Sequence, residues 1–375
     1  MLYILIYIIG LILCKLEEKW QRSLIFYTLL LIALASLRYG IGADYFGYKV
    51  LYQNIRVPVI NELKFSSNYQ EILFRIISSF MKTIKIPYQV YIAFFSTINL
   101  IYIAKTCEKY SSRPMMSLLF YYSFFFFVWT CSGIRQGMTL VIGMYYFLQY
   151  IENGKKLRFV IITIILSLIH LSAFILLLFM LIRECNFTRK SLIIISICSI
   201  LISMLPINKI IMLFIDMPIV KRIEPYLSGN YGISNILSFP SIVRMLFLIA
   251  AFYYYNGYSN KDRISKVIAD TFILSMNLYF VLKFSEITAA RLSIYGYYLI
   301  IIILPDIYNM YKTKLGKVLV ASMLLIFSSM YIAKEIHTMK NQTGLIHPNK
   351  VFIPYTNIFN INDYDFNNRY LKFIQ

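Results

Sequence analysis

The chain is a long series of apolar segments that alternate with short polar loops. A helix that crosses the ~30 Å hydrocarbon core of a bilayer needs about 20 residues, and slightly shorter segments also serve. Hydrophobic residues make up 59% of the chain and charged residues 14%, whereas a soluble domain usually carries about 25% charged residues. The sequence therefore predicts an all-α, polytopic integral membrane protein that forms a single membrane domain over residues 1–375.

This pattern predicts about twelve transmembrane segments. They lie near residues 1–14, 23–37, 88–104, 115–132, 134–151, 158–170, 171–182, 191–205, 239–256, 267–282, 288–304 and 318–333.

The distribution of Lys and Arg predicts the orientation. The net charge is +20, and these charges belong in loops and at helix ends because a charge at the bilayer centre is costly. Cytoplasmic loops are enriched in basic residues. Six short loops contain three Lys or Arg each, namely residues 15–22, 105–113, 152–158, 183–190, 257–266 and 305–317. We therefore place these loops in the cytoplasm and both termini outside, and we expect no nucleic-acid partner.

Residues 158–182 allow two interpretations. One long helix would move the later basic loops, 257–266 and 305–317, to the outer side of the membrane, against the pattern. Two short spans, or a re-entrant hairpin, keep the pattern and place His170 at the turn. We therefore expect an interruption at His170.

Three longer pieces face outside in this scheme: a loop at 38–87, a loop at 206–238 and the tail 334–375. Within the first, residues 69–86 place basic and apolar side chains at helical spacing. This pattern is typical of an amphipathic helix in the outer interface, and equally of a solvated loop helix.

Two groups of polar residues lie at the outer ends of early spans, where the presence of ionisable side chains requires an explanation. Arg38 and Asp44 flank two glycines, which allow a sharp turn that brings both charges into one small volume. A local ion pair at the interface explains them equally well. Arg135 and Gln136 join two apolar runs with almost no loop. Arg135 either snorkels or binds a phosphate, and its planar guanidinium suits bidentate phosphate binding.

Two further groups lie later in the chain. His170, with Ser172 nearby, is either a satisfied core histidine or a general acid–base group. Glu286 and Arg291 lie between two late spans, where an ion pair that holds the turn is the alternative to a functional role.

All four groups are extracytoplasmic in this topology, and basic side chains dominate them. Such a set suits an anionic lipid-linked substrate that enters from the outer leaflet. A transporter would instead place charges along a path that reaches both faces. The chain contains no Walker loop, G-x-G-x-x-G or C-x-x-C sequence, so we expect neither a cofactor nor a metal site.

Several blocks, in order, resemble the EpsG family of O-antigen-polymerase-like (Wzy-type) membrane proteins from bacterial capsule and exopolysaccharide loci. These blocks are LRYGIGADYFGY at 37–48, GIRQGM at 133–138, IHLSAFILL at 169–177, RLSIYGYYL at 291–299 and IPYTNIF at 353–359. The resemblance implies a helical fold related to lipid-dependent (GT-C-like) glycosyltransferases.

The resemblance also implies an activity: joining undecaprenyl-diphosphate-linked oligosaccharide repeat units on the outer face of the cytoplasmic membrane. The expected partners are that lipid-linked glycan, membrane lipids, and flippase and chain-length regulator proteins. A lipid-linked oligosaccharide flippase and an O-antigen ligase are the alternatives. The leaving diphosphate requires cations that are already in position. The first candidates for binding it are Arg135 and Arg291, followed by Arg38. Gln136, next to Arg135, is a further candidate for substrate binding. His170, Asp44 and Glu286 are the candidates for the general base.

Overall fold

The computed structural model describes residues 2–20, 22–65, 70–207, 238–258, 262–340 and 355–359. Most of the described residues outside 355–359 are helical, and each predicted apolar segment overlaps at least one helix. The α-helices are α1 (Leu2–Leu16), α2 (Ser23–Leu37), α3 (Tyr45–Asn54), α4 (Val59–Phe65), α5 (Ile72–Thr83), α6 (Tyr88–Tyr110), α7 (Pro114–Phe124), α8 (Ile134–Asn153), α9 (Lys156–Ser167), α10 (Ile175–Glu184), α11 (Arg189–Ser203), α12 (Phe239–Tyr258), α13 (Arg263–Val281), α14 (Glu286–Tyr297), α15 (Ile300–Met310) and α16 (Lys314–Lys340). The all-α class is confirmed for this part of the chain.

Three of these helices are long and apolar enough to cross a membrane: Tyr88–Tyr110, Arg263–Val281 and Lys314–Thr338. A fourth span is obtained if α14 and α15, which are bent by 49° at their junction, are counted as one. Helices α1 and α2 are apolar but shorter. The described residues therefore include three or four helices that could span a membrane by length and composition, while the count of about twelve transmembrane segments stays a prediction.

The chain divides into two compact units, and the prediction of a single membrane domain stays a prediction. Unit 1 comprises Met1–Tyr145, Ile161–Ala173 and Tyr311–Gln375. Its centre is α7, which contacts α1, α2, α6 and α16. Residues Ser117–Phe124 of α7 are buried on all sides, as expected for a helix that is apolar around its whole circumference.

A short π-helix, Phe126–Thr130, follows α7. Its end is held by a buried polar group. The carboxamide oxygen of Asn99 accepts hydrogen bonds from the hydroxyls of Tyr121 and Thr130, both at 3.0 Å. Single π-turns are rare and are often found at functional sites.

Unit 2 comprises Tyr146–Val160 and Phe174–Met310. Its centre is α13, which contacts α10, α11, α12 and α14. Gly296 of α14 lies directly against Ser275 of α13, where an added Cβ would meet the serine side chain. Small residues at such a contact allow two helices in a membrane to approach closely.

Two predictions about local structure are confirmed. The chain is not one helix across 158–182: α9 ends at Ser167, and a 3₁₀ turn, Leu171–Phe174, precedes α10. Within 69–86, the helix α5 buries Phe74, Ser78 and Ser79. Most of the predicted outer loop 206–238 and of the tail 334–375 lies outside the described residues.

Candidate functional site

The chain turns sharply after α2. Gly40 and Gly42 have φ angles of 68° and 102°, in the left-handed region that favours glycine. A Cβ added to Gly42 would meet the carbonyl oxygen of Cys131. The turn predicted from the two glycines is therefore present, and it brings this loop against the end of the π-helix.

Arg38 lies inside unit 1, with 1% of its surface exposed. Its Nη1 donates to the hydroxyl of Ser96 at 3.0 Å and to the carbonyl of Ala35, and its Nη2 donates to the carbonyl of Cys131 at 3.2 Å. The guanidinium thus joins the end of α2 to α6 and to the residue after the π-helix.

Asp44 lies at the other end of this turn, immediately before α3, and is exposed. Its carboxylate accepts a hydrogen bond from the Ser132 hydroxyl at 3.0 Å. The same hydroxyl accepts from the Asp44 backbone amide at 3.2 Å. These contacts bring Asp44 to the loop that leads into Arg135.

Arg135 is the second residue of α8, and Glu71, the residue before α5, forms an ion pair with it. The guanidinium carbon lies 5.0 Å from the centre of the Phe74 ring. Burial raises the pKa of the nearby Tyr48 phenol, and the positive charge of Arg135 opposes this rise. The Nε of Arg135 is buried and has no hydrogen-bond partner within the described residues. An unused donor of this kind suits an anionic ligand.

Gln136, next to Arg135, is 3% exposed, and its backbone carbonyl accepts from the Thr139 hydroxyl at 3.0 Å. Gly137 has no room for a side chain, because a Cβ there would meet the carbonyl of Trp129. The first turn of α8 therefore packs directly on the π-helix, which fixes the position from which Arg135 projects.

Glu71 also holds the turn that contains His170. Its second carboxylate oxygen accepts from the backbone amide of Leu171 at 2.9 Å. The amide of Leu73, in the first turn of α5, donates to the carbonyl of Leu168 at 2.8 Å. The Nδ1 of His170 lies 2.7 Å from the Ser172 hydroxyl. One carboxylate thus connects the guanidinium of Arg135 to the backbone of the interruption between α9 and α10.

Unit 1 therefore brings together three of the four predicted groups: the Asp44 turn, the start of α8 and the His170 turn. We call the set Asp44, Ser132, Arg135, Glu71 and His170 the unit 1 site. Sequence reasoning missed Glu71. Its only local signal was an acidic residue directly before an amphipathic helix, a position that many solvated helices share.

The fourth predicted group lies in unit 2, where Glu286 begins α14. Its carboxylate accepts from the Tyr279 hydroxyl at 2.8 Å and from Lys283 at 3.4 Å. Lys283 also donates to Tyr279 at 3.1 Å, to Ser238 at 3.2 Å and to Ser241. Burial lowers the pKa of Lys283, and the charge of Glu286 opposes this shift.

Arg244 of α12 completes the polar group in unit 2. Its guanidinium carbon lies 3.9 Å from the centre of the Tyr279 ring and 5.1 Å from that of Tyr297, and its Nη1 donates to the carbonyl of Pro240 at 3.1 Å. Arg291, predicted to bind substrate, is exposed in the second turn of α14. We call Lys283, Arg244, Tyr279, Glu286 and Ser241 the unit 2 cluster.

In both units, the charged side chains of the unit 1 site and of the unit 2 cluster lie near the ends of apolar helices. This arrangement, with the apolar helices of the fold, defines a helical integral membrane protein whose polar chemistry lies at the helix ends.

A family model described as the EpsG family matches residues 21–357, nearly the whole chain. The chain therefore belongs to the EpsG family, a Wzy-like family of polysaccharide polymerases, and the resemblance found in the sequence is confirmed. No curated protein matches the chain, and no solved structure does.

Proposed function

We propose that this EpsG-family protein is a polymerase that joins undecaprenyl-diphosphate-linked oligosaccharide repeat units on the outer face of the bacterial cytoplasmic membrane. A sugar hydroxyl of the incoming unit forms a bond to the anomeric carbon of the growing glycan. The bond from that carbon to the diphosphate oxygen breaks, and undecaprenyl diphosphate leaves with the electron pair. The hydroxyl proton goes to a general base.

The observation that carries this proposal is the pairing of Arg135 with Glu71 beside the His170 turn. A buried cation is costly without a counter-charge, and Glu71 supplies one before the substrate binds. A guanidinium has five N–H donors, so a carboxylate on Nη1 leaves donors for an incoming diphosphate. Arg135 therefore stabilises the negative charge that develops on the leaving group.

The general base is best sought in the same unit. His170 lies in the turn that Glu71 holds, and its contact with Ser172 fixes the imidazole at Nδ1. An ordinary histidine titrates near neutral pH, which suits proton transfer. Asp44 is the second candidate because it is exposed and its carboxylate accepts a hydrogen bond from Ser132, in the loop that leads into Arg135. Glu286 is the third, from unit 2.

The remaining residues have supporting roles in this proposal. Gln136 and Arg38 keep the unit 1 site in place, and Arg291, which is exposed, contacts the diphosphate or glycan of a substrate. We also propose the finer features of the architecture: about twelve spans, a fold like that of GT-C glycosyltransferases, and an outer-facing site. The expected partner proteins are a flippase and a chain-length regulator, and the products are capsule, exopolysaccharide or O-antigen chains.

The test is reconstitution of the full chain in liposomes with a synthetic undecaprenyl-diphosphate-linked repeat unit. We expect a ladder of longer glycans on a gel, together with release of undecaprenyl diphosphate. Transfer of single units to a different lipid acceptor would identify a ligase instead. Movement of the lipid-linked unit across the membrane without any new glycosidic bond would identify a flippase.

A further inference from the structure

The unit 2 cluster contains two buried cations. The side chain of Lys283 is 2% exposed and pairs with Glu286, whose side chain is 29% exposed. Arg244 is 8% exposed. Within the described residues, Arg244 contacts no carboxylate: its acceptor is the Pro240 carbonyl, its other neighbours are the rings of Tyr279 and Tyr297, and its Nε has no partner.

The other groups around these cations are hydrogen-bond donors. The hydroxyls of Ser238 and Ser241 lie at the start of α12, and Ser285 and Glu286 lie at the start of α14. Helix N-termini carry partial positive charge and present free backbone amides. Two such ends therefore add to the charges of Lys283 and Arg244, and Glu286 opposes them with one negative charge.

A buried cation in a membrane protein is stable only when an anion or a set of acceptors compensates it. Lys283 has Glu286 and the hydroxyls. Among the described residues, Arg244 has one carbonyl and the faces of two aromatic rings, which is weak compensation for a full charge. A tetrahedral anion placed between Arg244 and the hydroxyls would supply the missing negative charge and accept hydrogen bonds from several donors at once.

We propose that the unit 2 cluster binds the phosphate or diphosphate of a lipid headgroup. Arg244 and Lys283 supply the charge, Ser238 and Ser241 supply hydroxyl donors, and Glu286 lies at the exposed side of the cluster. The cluster belongs to unit 2, and the proposal does not depend on the reaction assigned to the unit 1 site.

The test measures lipid binding to the purified full chain by native mass spectrometry. The probes are undecaprenyl diphosphate, phosphatidylglycerol and inorganic pyrophosphate, and the comparison is between Arg244→Gln and Arg158→Gln. Arg158 is a matched control because it also lies over a tyrosine ring, that of Tyr146 at 4.9 Å, but is exposed. We expect Arg244→Gln to weaken binding about tenfold or more, and Arg158→Gln to leave it unchanged.

The preferred probe identifies the source of the phosphate. Tighter binding of undecaprenyl diphosphate than of phosphatidylglycerol assigns the site to the lipid diphosphate. Equal binding of these two lipids assigns the site to bilayer phospholipid. A preference for pyrophosphate assigns the site to a free anion and overturns the proposal of a lipid headgroup. Equal affinity of the wild type and Arg244→Gln for every probe overturns the proposal, as does the absence of binding.

A second variant tests the same proposal if Arg244→Gln does not fold. Glu286→Gln keeps an acceptor for Tyr279 and Lys283 but removes the negative charge, so we expect anion binding to become tighter by about tenfold. The proposed site is contradicted if Glu286→Gln keeps the wild-type melting temperature while its affinity for the anion stays the same or falls.

Discussion

Arg38 and Arg135 carry the same guanidinium at the ends of apolar segments, but their surroundings differ. Arg38 is 1% exposed and donates hydrogen bonds to neutral oxygen atoms. The Arg135 side chain is 20% exposed and is balanced by the carboxylate of Glu71. A guanidinium satisfied by interior carbonyls positions the backbone, whereas one balanced by a partly exposed acid can exchange that acid for a ligand. We therefore assign the substrate contact to Arg135.

The first prediction concerns Arg135→Lys. If Arg135 binds a diphosphate, its planar, bidentate geometry matters as well as its charge, because an ammonium is a point charge. We expect turnover in the reconstituted assay to fall about 10²–10³-fold, with a normal protein level in the membrane. The control is Arg113→Lys, since Arg113 pairs with the exposed Glu18 at 3.3 Å. Normal polymer from Arg135→Lys would remove it from the substrate site. The same comparison applies to Arg291→Lys.

The second prediction concerns Glu71→Gln. A glutamine oxygen still accepts from the Leu171 amide, but the ion pair with Arg135 is lost. We expect turnover to fall about 10²-fold because the guanidinium and the His170 turn are no longer held together. The measurement is the rate of polymerisation in liposomes. The control is Glu62→Gln, which removes a different ion pair, the one between Glu62 and Arg75. A fall in melting temperature without a fall in the rate of the folded protein would make Glu71 purely structural.

At the scale of elements, the segment Tyr355–Phe359 docks on the end of α2. The amide of Tyr39 donates to the carbonyl of Thr356 at 2.9 Å, and the Thr356 hydroxyl donates to the carbonyl of Tyr39 at 2.6 Å. The hydroxyl of Tyr355 donates to the carbonyl of Leu34 at 2.6 Å. These contacts flank Arg38 and fix the backbone from which the Asp44 turn starts.

The third prediction follows from this docking. A chain that ends at Pro354 loses these hydrogen bonds, each worth about 0.5–1.5 kcal/mol, and with them the support of the Asp44 turn. We expect a lower melting temperature and less polymer. A chain that ends at Phe359 retains the docked segment and serves as the matched control. Equal activity of the two truncated proteins would show that the docked segment is dispensable.

The elements differ in how far the sequence predicts them. Apolar runs predicted the helices, and the basic loops predicted the interruption near His170, because both are local patterns. The contact of Glu71 with Leu171 joins residues that are far apart in the chain, and no local pattern contains it. The same holds for Thr356 against Tyr39. The ion pair of Lys283 with Glu286 is a contact that the sequence analysis did not predict.

At the scale of the whole molecule, apolar helices are either central or peripheral in their units. In the most apolar stretch of α13, 67% of the residues are buried, whereas the corresponding value for α16 is 22%. Exposed faces of α16, with Val318, Leu319 and Ile326, would be an aggregation hazard in water. In a bilayer they face lipid, which agrees with membership of a membrane-protein family.

The fourth prediction is that polymerisation does not require a divalent metal. The charge of the leaving diphosphate is met in our proposal by guanidinium groups, and the carboxylates of Asp44 and Glu286 are each engaged with a hydroxyl. We expect the same glycan ladder in the presence and absence of EDTA. Activity that stops with EDTA and returns only with Mg²⁺ or Mn²⁺ would contradict this.

The fifth prediction concerns the sides of the membrane on which Asn153 and Asn186 lie. Asn153 is the last residue of α8 and Asn186 follows α10, and both belong to predicted loops with three basic residues. The interruption between Ser167 and Leu171 makes the intervening chain either two short spans or a re-entrant hairpin, and both return it to the side from which it started.

We therefore expect paired topology reporters inserted at Asn153 and Asn186 to report the same side, the cytoplasm, because basic loops are retained there. A reporter at Lys85, in the predicted outer loop 38–87, is the control and should report the outside. Opposite sides for Asn153 and Asn186 would make residues 158–182 a single span despite the break at His170. That result would reverse the expected side of every later loop, including the one that carries Glu286, and would remove the outer-face location from the proposed function.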